Sequence, residues 1–132
     1  RSLEELAIEL ACQKITQEQI QELEAAEAVF AEAVQKGDPM TIAESDESYH
    51  DVIYQATGNG RLVQILNNLR EQMYRYRLEY IKDADKRQIL VVEHEHIIRA
   101  VKSHNIAEAK RAMREHIDNQ QLTVSRNIKE RS

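Results

Sequence analysis

The sequence predicts an all-α fold, an antiparallel bundle of about six helices. Three observations carry this. Only three Gly and one Pro occur in 132 residues, so the chain has few points at which a helix must stop. The remainder is rich in Ala, Glu, Gln, Leu, Ile and Arg, most of which lose little side-chain freedom in a helix. Apolar residues recur three and four positions apart, and the two-residue alternation of a half-buried strand is missing. At 42% apolar and 31% charged residues, the chain can bury a core and keep a solvated surface, unlike a disordered segment.

Punctuation divides the chain into six helical segments. The first spans about Ser2 to Gln13, with Leu3, Leu6, Ala7 and Leu10 on one face. Thr16 and Gln19 have the spacing of a capping box for a second helix carrying Ile20, Leu23, Ala26, Phe30 and Val34 and ending at Gly37. Asp38-Pro39 is a start signal for the third, which runs to about Thr57 before Gly58-Asn59-Gly60 breaks it. Asn59 is placed to cap the fourth, whose stripe is Leu62, Ile65, Leu66, Leu69, Met73, Tyr76 and Tyr80. Asp85 and Gln88 have capping-box spacing at the fifth, and His104-Asn105 separates it from a sixth reaching roughly Lys129. Such short connections favour antiparallel neighbours.

Composition narrows the function classes. A net charge of −5 and no concentrated basic face argue against nucleic-acid binding by this polypeptide. The densest basic stretch, Arg70 to Arg77, is interrupted by Glu71, Tyr74 and Tyr76. One cysteine, Cys12, rules out an internal disulfide and suits a reducing cytoplasm as a buried apolar residue. No apolar run is long enough to span a bilayer. The chain opens inside a helical pattern, so a preceding segment is expected.

The chemistry-bearing residues are five histidines and several carboxylates. Each helical residue turns about 100°, which sorts them. Asp46 and His50, four apart, share a face with Ala43, Ile53, Tyr54 and Thr57. His94 sits at the centre of the stripe Leu90, Val91, Ile97, Ile98 and Val101. His116 falls among Ala109, Ala112, Met113, Gln120 and Thr123. His96 faces away from that stripe, and His104 lies in a turn. One buried neutral histidine is routine, but three with an aspartate need many partners, each unsatisfied group costing roughly 1–3 kcal/mol. A divalent cation would satisfy all four, and imidazole with carboxylate suits zinc, nickel, manganese or iron. A hydrogen-bonded core cluster is the other open reading.

Rival motifs fit less well. The Glu-x-x-His strings Glu47–His50 and Glu93–His96 resemble di-iron bundles, yet a site on Glu93 and His96 would turn the His94 stripe to water. His50-Asp51 resembles the dyad of HD-type phosphohydrolases, also helical and metal-dependent, but their further ligands are not assignable. His94-Glu95 opens a zincin-like string that fails because Ile98 stands in place of the second histidine.

Four strings in order resemble a known family: Asp46-x-x-Tyr49-His50, Gly58-Asn59-x-x-Leu62, Glu93-His94-x-x-Ile97-x-x-Ala100-Val101 and Ala109-x-x-Ala112-Met113-x-x-His116. The chain is similar to the FCD domain, the C-terminal ligand-sensing domain of FadR-type members of the GntR transcription regulators. Leu3-Glu4-x-x-Ala7 fits that family's first helix. Tyr49 stands where Phe is commoner, and His104 where Gly is frequent. The resemblance implies a bundle of six or seven helices around an internal cavity. It implies one divalent metal, zinc foremost, held by Asp46, His50, His94 and His116 with positions open for a small organic acid. It further implies a homodimer whose effector controls a winged helix-turn-helix that this chain does not contain, so DNA would be reached only through that other domain.

A carboxylate effector wants an arginine near the metal. Arg77 and then Arg70 lie on one side of the fourth helix's stripe, while Arg75 points away. Gln120 and Thr123 are near His116 in phase and are the other candidate effector contacts.

Overall fold

The computed structural model describes the backbone of residues 2–131 and the side chains of residues 3–121. Among these residues it contains helices only: α1 (Ser2–Lys14), α2 (Gln17–Lys36), α3 (Pro39–Ala56), α4 (Gly60–Asn68), α5 (Arg70–Ile81), a 3-10 turn (Ala84–Lys86), α6 (Arg87–Lys102) and α7 (Ile106–Arg131). None is long and apolar enough to cross a membrane.

Most ends follow from capping chemistry. Thr16 and Gln19 form the reciprocal box, at 3.0 and 3.1 Å. Gly37 closes α2 with φ 82°, and Asp38 caps α3 by accepting from the Thr41 amide and hydroxyl. Asn59 caps α4 through the Leu62 amide at 3.0 Å. After α6, the His104 amide donates to the Val101 carbonyl and the Asn105 amide to that of Ala100. This is a Schellman closure with its left-handed residue at His104, φ 53°. Asn105 in turn accepts from the Glu108 amide to start α7.

Two elements differ from expectation. The single helix expected from Asn59 to Tyr80 is two, because Leu69 leaves the helical region at φ −97°, ψ 0°. Its amide bonds back to Leu66 in the tighter i−3 pattern. The preceding Asn67 and Asn68 are weak helix formers, and the break lets α5 pack against α3 and α7. The Asp85–Gln88 box does not form. Asp83 caps instead, accepting from the Asp85 amide at 3.0 Å, and α6 starts without a side-chain cap. Asp85 lies inside the 3-10 turn, where its backbone is not in a cap conformation.

The pairs α2–α3 and α6–α7 pack as antiparallel hairpins, whereas α1 leaves α2 and lies against α7 and α3. Two apolar clusters result. One gathers Ile8, Leu23, Ile53, Leu66, Ile97 and Met113; the other gathers Phe30, Ile42, Tyr80, Ile81 and Leu90. Cys12 is free and buried in the first, where desolvation raises its thiol pKa.

Candidate metal centre

Helices α3, α6 and α7 bring Asp46, His50, His94 and His116 together, each with no solvent exposure. One ligating atom from each lies within 4.8 Å of all the others. The closest approaches are His94 Nε2 to Asp46 Oδ1 at 2.9 Å, His116 Nε2 to His50 Nε2 at 3.4 Å, and His50 Nε2 to Asp46 Oδ1 at 3.6 Å. Donors about 2.1 Å from a common ion and about 90–110° apart would be separated by about 3.0–3.4 Å. The cluster therefore has close to the right aperture for a divalent cation.

Hydrogen bonding favours the same reading. His94 Nδ1 lies 2.7 Å from Glu27 Oε2, and His116 Nδ1 lies 2.8 Å from Glu93 Oε1. With protons on these Nδ1 atoms, both Nε2 lone pairs face the centre, as in carboxylate–histidine–metal arrangements. Both Asp46 oxygens and His94 Nε2 are buried without a well-formed hydrogen bond, so the short contacts among them are not good hydrogen bonds. Arg77 Nε neutralises Asp46 Oδ2 from 3.1 Å, but Asp46 Oδ1 and His94 Nε2 are left without a well-formed hydrogen bond, and a cation would pair them. His50 Nδ1 also lacks a partner.

The aromatic frame fixes the rings. Tyr49 stacks on His94 with centroids 3.9 Å apart and planes 9° apart, and Phe30 sits at 4.5 Å. Tyr49 also donates its hydroxyl to the His94 carbonyl at 3.0 Å. On the other flank, buried Arg77 places Nε 3.1 Å from Asp46 Oδ2 and Nη2 3.3 Å from the Tyr54 hydroxyl, which donates to Glu4 Oε1 at 2.7 Å.

Charge is distributed unevenly across the cluster's own side chains. Burial would raise the Asp46 pKa, but the His50 and His94 rings and Arg77 outweigh it and hold the carboxyl well below its usual range. Burial lowers His50 to about 3, helped by Arg77 and only partly opposed by Asp46. Burial also acts to lower His94, yet Asp46 and Glu27 overcome it and lift His94 to about 9. Glu27 itself is raised by desolvation, with His94 pulling the other way.

Other expected residues fall in different places. Arg77 lies at the cluster, but its contacts go to Asp46 and Tyr54. Arg70 is half-exposed and pairs with Asp51 at 2.7 Å, which carries Asp51 away from His50 and leaves no HD-type dyad pointing at the cluster. Gln120 is buried and lines a cleft beside Arg77. The side chain of Thr123 lies outside the described residues. His96 pairs with Glu108 and His104 with the Cys12 carbonyl, neither at the cluster. Glu93, placed off the inner stripe by phase, instead reaches His116 from a half-buried position. Glu27 lies outside the histidine-centred pattern, although Ile20, Leu23, Glu27 and Phe30 follow core spacing and a charge in that stripe is a readable signal.

Fold and site together define an all-helical bundle domain built around a buried Asp/His cluster. The FCD domain model matches residues 1–119, and the chain belongs to that family, the effector-sensing domain of GntR-type transcription regulators. Among solved structures it is similar to McbR/YncC from E. coli, with TM-score 0.85 and 17% identity over 96% of this chain. The chain spans 64% of that structure's length. No match to a curated protein was found.

Proposed function

We propose that this chain senses a small carboxylate-bearing metabolite at a divalent metal held by Asp46, His50, His94 and His116. Zinc is the first candidate ion; nickel, manganese and iron share the ligand preference. The carrying observation is the convergence of three imidazole Nε2 atoms and one carboxylate, with two of the opposite ring nitrogens tied to Glu27 and Glu93. When bound, the ion supplies a fixed positive charge for a carboxylate in a water-poor interior. Arg77 holds Asp46 and lines the adjoining cleft with Gln120, so these two residues contact the effector. The metabolite acts by binding one arrangement of a homodimer better than another. DNA is bound through a separate domain of a cytoplasmic regulator, and the chain performs no catalysis.

The test is elemental analysis and native mass spectrometry of the purified chain and of His94→Ala and His116→Ala. One divalent ion per wild-type chain, and its loss in both variants, is expected. Unchanged metal content in the variants would sink the reading. Phosphoester turnover abolished by Asp51→Ala would instead favour a hydrolase.

A further inference from the structure

The two histidines with outer carboxylates are braced in different ways. Glu27, behind His94, has 9% of its side chain exposed and is held by burial where α2 lies on α6. Glu93, behind His116, has 19% exposed, so water competes for its oxygens, and several side-chain torsions must be fixed to keep it on the ring. Its Oε1 lies 2.8 Å from His116 Nδ1, and its Oε2 accepts from Asn119 Nδ2 at 3.1 Å. The same Asn119 nitrogen donates to the hydroxyl of buried Tyr80 at 3.0 Å. Both amide protons of Asn119 are therefore used. The orientation of this amide is chemically fixed, because turning it would set its carbonyl oxygen against a carboxylate.

Asn119 stands three residues beyond His116 on α7, and Tyr80 three residues beyond Arg77 on α5. Helix α5 supplies none of the four ligands, yet it reaches the cluster twice. Arg77 holds Asp46 at 3.1 Å, and Tyr80 leads through Asn119 and Glu93 to His116. Without the Asn119 donor, Glu93 is free to turn toward solvent, and His116 Nδ1 loses its acceptor in a residue with no solvent exposure. The ring proton then gains nothing from staying on Nδ1, and on Nε2 it blocks the lone pair that faces the other ligands. We propose that Asn119, braced by Tyr80, is a positioning residue of the metal centre. It holds Glu93 so that His116 keeps its proton on Nδ1 and its Nε2 lone pair toward the cluster. Its role rests on the metal reading above; its geometry rests on the three bonds from Tyr80 to His116.

The experiment measures zinc affinity by chelator competition and the His116 tautomer by ring 15N spectra of the metal-free chain. The samples are wild type, Asn119→Leu, Tyr80→Phe, Glu93→Ala and the double variant of Asn119→Leu with Glu93→Ala. Loss of an outer partner typically costs about 10–100-fold in metal affinity, which is the expectation for Glu93→Ala. Asn119→Leu acts one bond further out and should weaken zinc binding about three- to tenfold. The fraction of His116 protonated at Nε2 should rise in the same variant, a change that loss of packing alone would not produce. In the Glu93→Ala background, Asn119→Leu should cost less than about twofold, because no carboxylate remains to position. Tyr80→Phe keeps the ring and its packing and should move both readouts in the same direction, so it decides the matter where Asn119→Leu fails to fold. An unchanged affinity or an unchanged tautomer would overturn the proposal. So would an equal loss of affinity with and without Glu93, the mark of an amide that only joins helices. A wild-type chain that takes up no zinc refutes the metal centre, and the metal-free tautomer then tests the clamp by itself.

Discussion

Replacing Glu27 by Gln tests whether the carboxylate behind His94 belongs to the metal site or merely fills space. The two residues are nearly isosteric, and the amide oxygen can still accept from His94 Nδ1, now 2.7 Å from Glu27 Oε2. What disappears is a buried negative charge one imidazole away from the metal position. Loss of such an outer partner typically weakens metal binding 10–100-fold, or about 1.4–2.7 kcal/mol. If the ion is supplied at about 1,000 times the wild-type Kd, it stabilises the fold by about 4.1 kcal/mol. In Glu27→Gln the same concentration should then give only about 1.4–2.7 kcal/mol. At roughly 4 °C per kcal/mol for a domain of this size, the metal-induced rise in Tm should shrink by roughly 5–10 °C. Chelator competition gives the affinity directly, and paired melts with and without metal remove any effect on the metal-free fold. Glu108→Gln is the control, because Glu108 pairs with His96 away from the cluster. Equal metal affinity for Glu27→Gln and wild type would refute the reasoning. So would loss as complete as in His94→Ala, since that would mean the variant had disrupted the site's geometry.

In metal-free protein the combined contribution of His94 and His50 to stability should be greatest near pH 6.5, the unfolded value for histidine. Stability from His94, raised to about 9, is present below 6.5 and lost as pH rises through 9. Stability from neutral His50, lowered to about 3, is lost as pH falls from 6.5 through 3. Denaturant melts across pH with chelator present check this, and a monotonic profile contradicts it. At the α6–α7 turn, His104 holds φ 53° and its Nδ1 lies 2.9 Å from the Cys12 carbonyl. His104→Ala keeps the strained backbone and loses the contact, costing about 1–2 kcal/mol. His104→Gly also relieves the strain and should change stability by less than about 1 kcal/mol. Equal destabilisation of both in chemical denaturation would show that the left-handed conformation carries no cost here.

Residue order alone carries the all-helical class, the capped starts at Thr16, Asp38 and Asn59, and the inward facing of four polar residues. These are local properties. Caps depend on residues a few positions apart, and facing depends on 100° per residue along one helix. The same logic kept His96 and His104 out of the cluster. Which helix faces meet, and so which partner each buried group finds, depends on packing between helices distant in sequence. Glu27 had core spacing, but its purpose depended on α2 lying against α6 beside His94. Glu93 lay off the inner stripe of α6 and became a partner of His116 because α7 crosses at that flank. Arg70 and Arg77 occupy similar phases on α5, yet one stands in its first turn and the other near its C-terminal end, where different helices face them. Arg77 enters the interior against Asp46 while Arg70 stays at the surface on Asp51. Periodicity assigns a residue to a face; it carries no information on what the neighbouring helix presents to it.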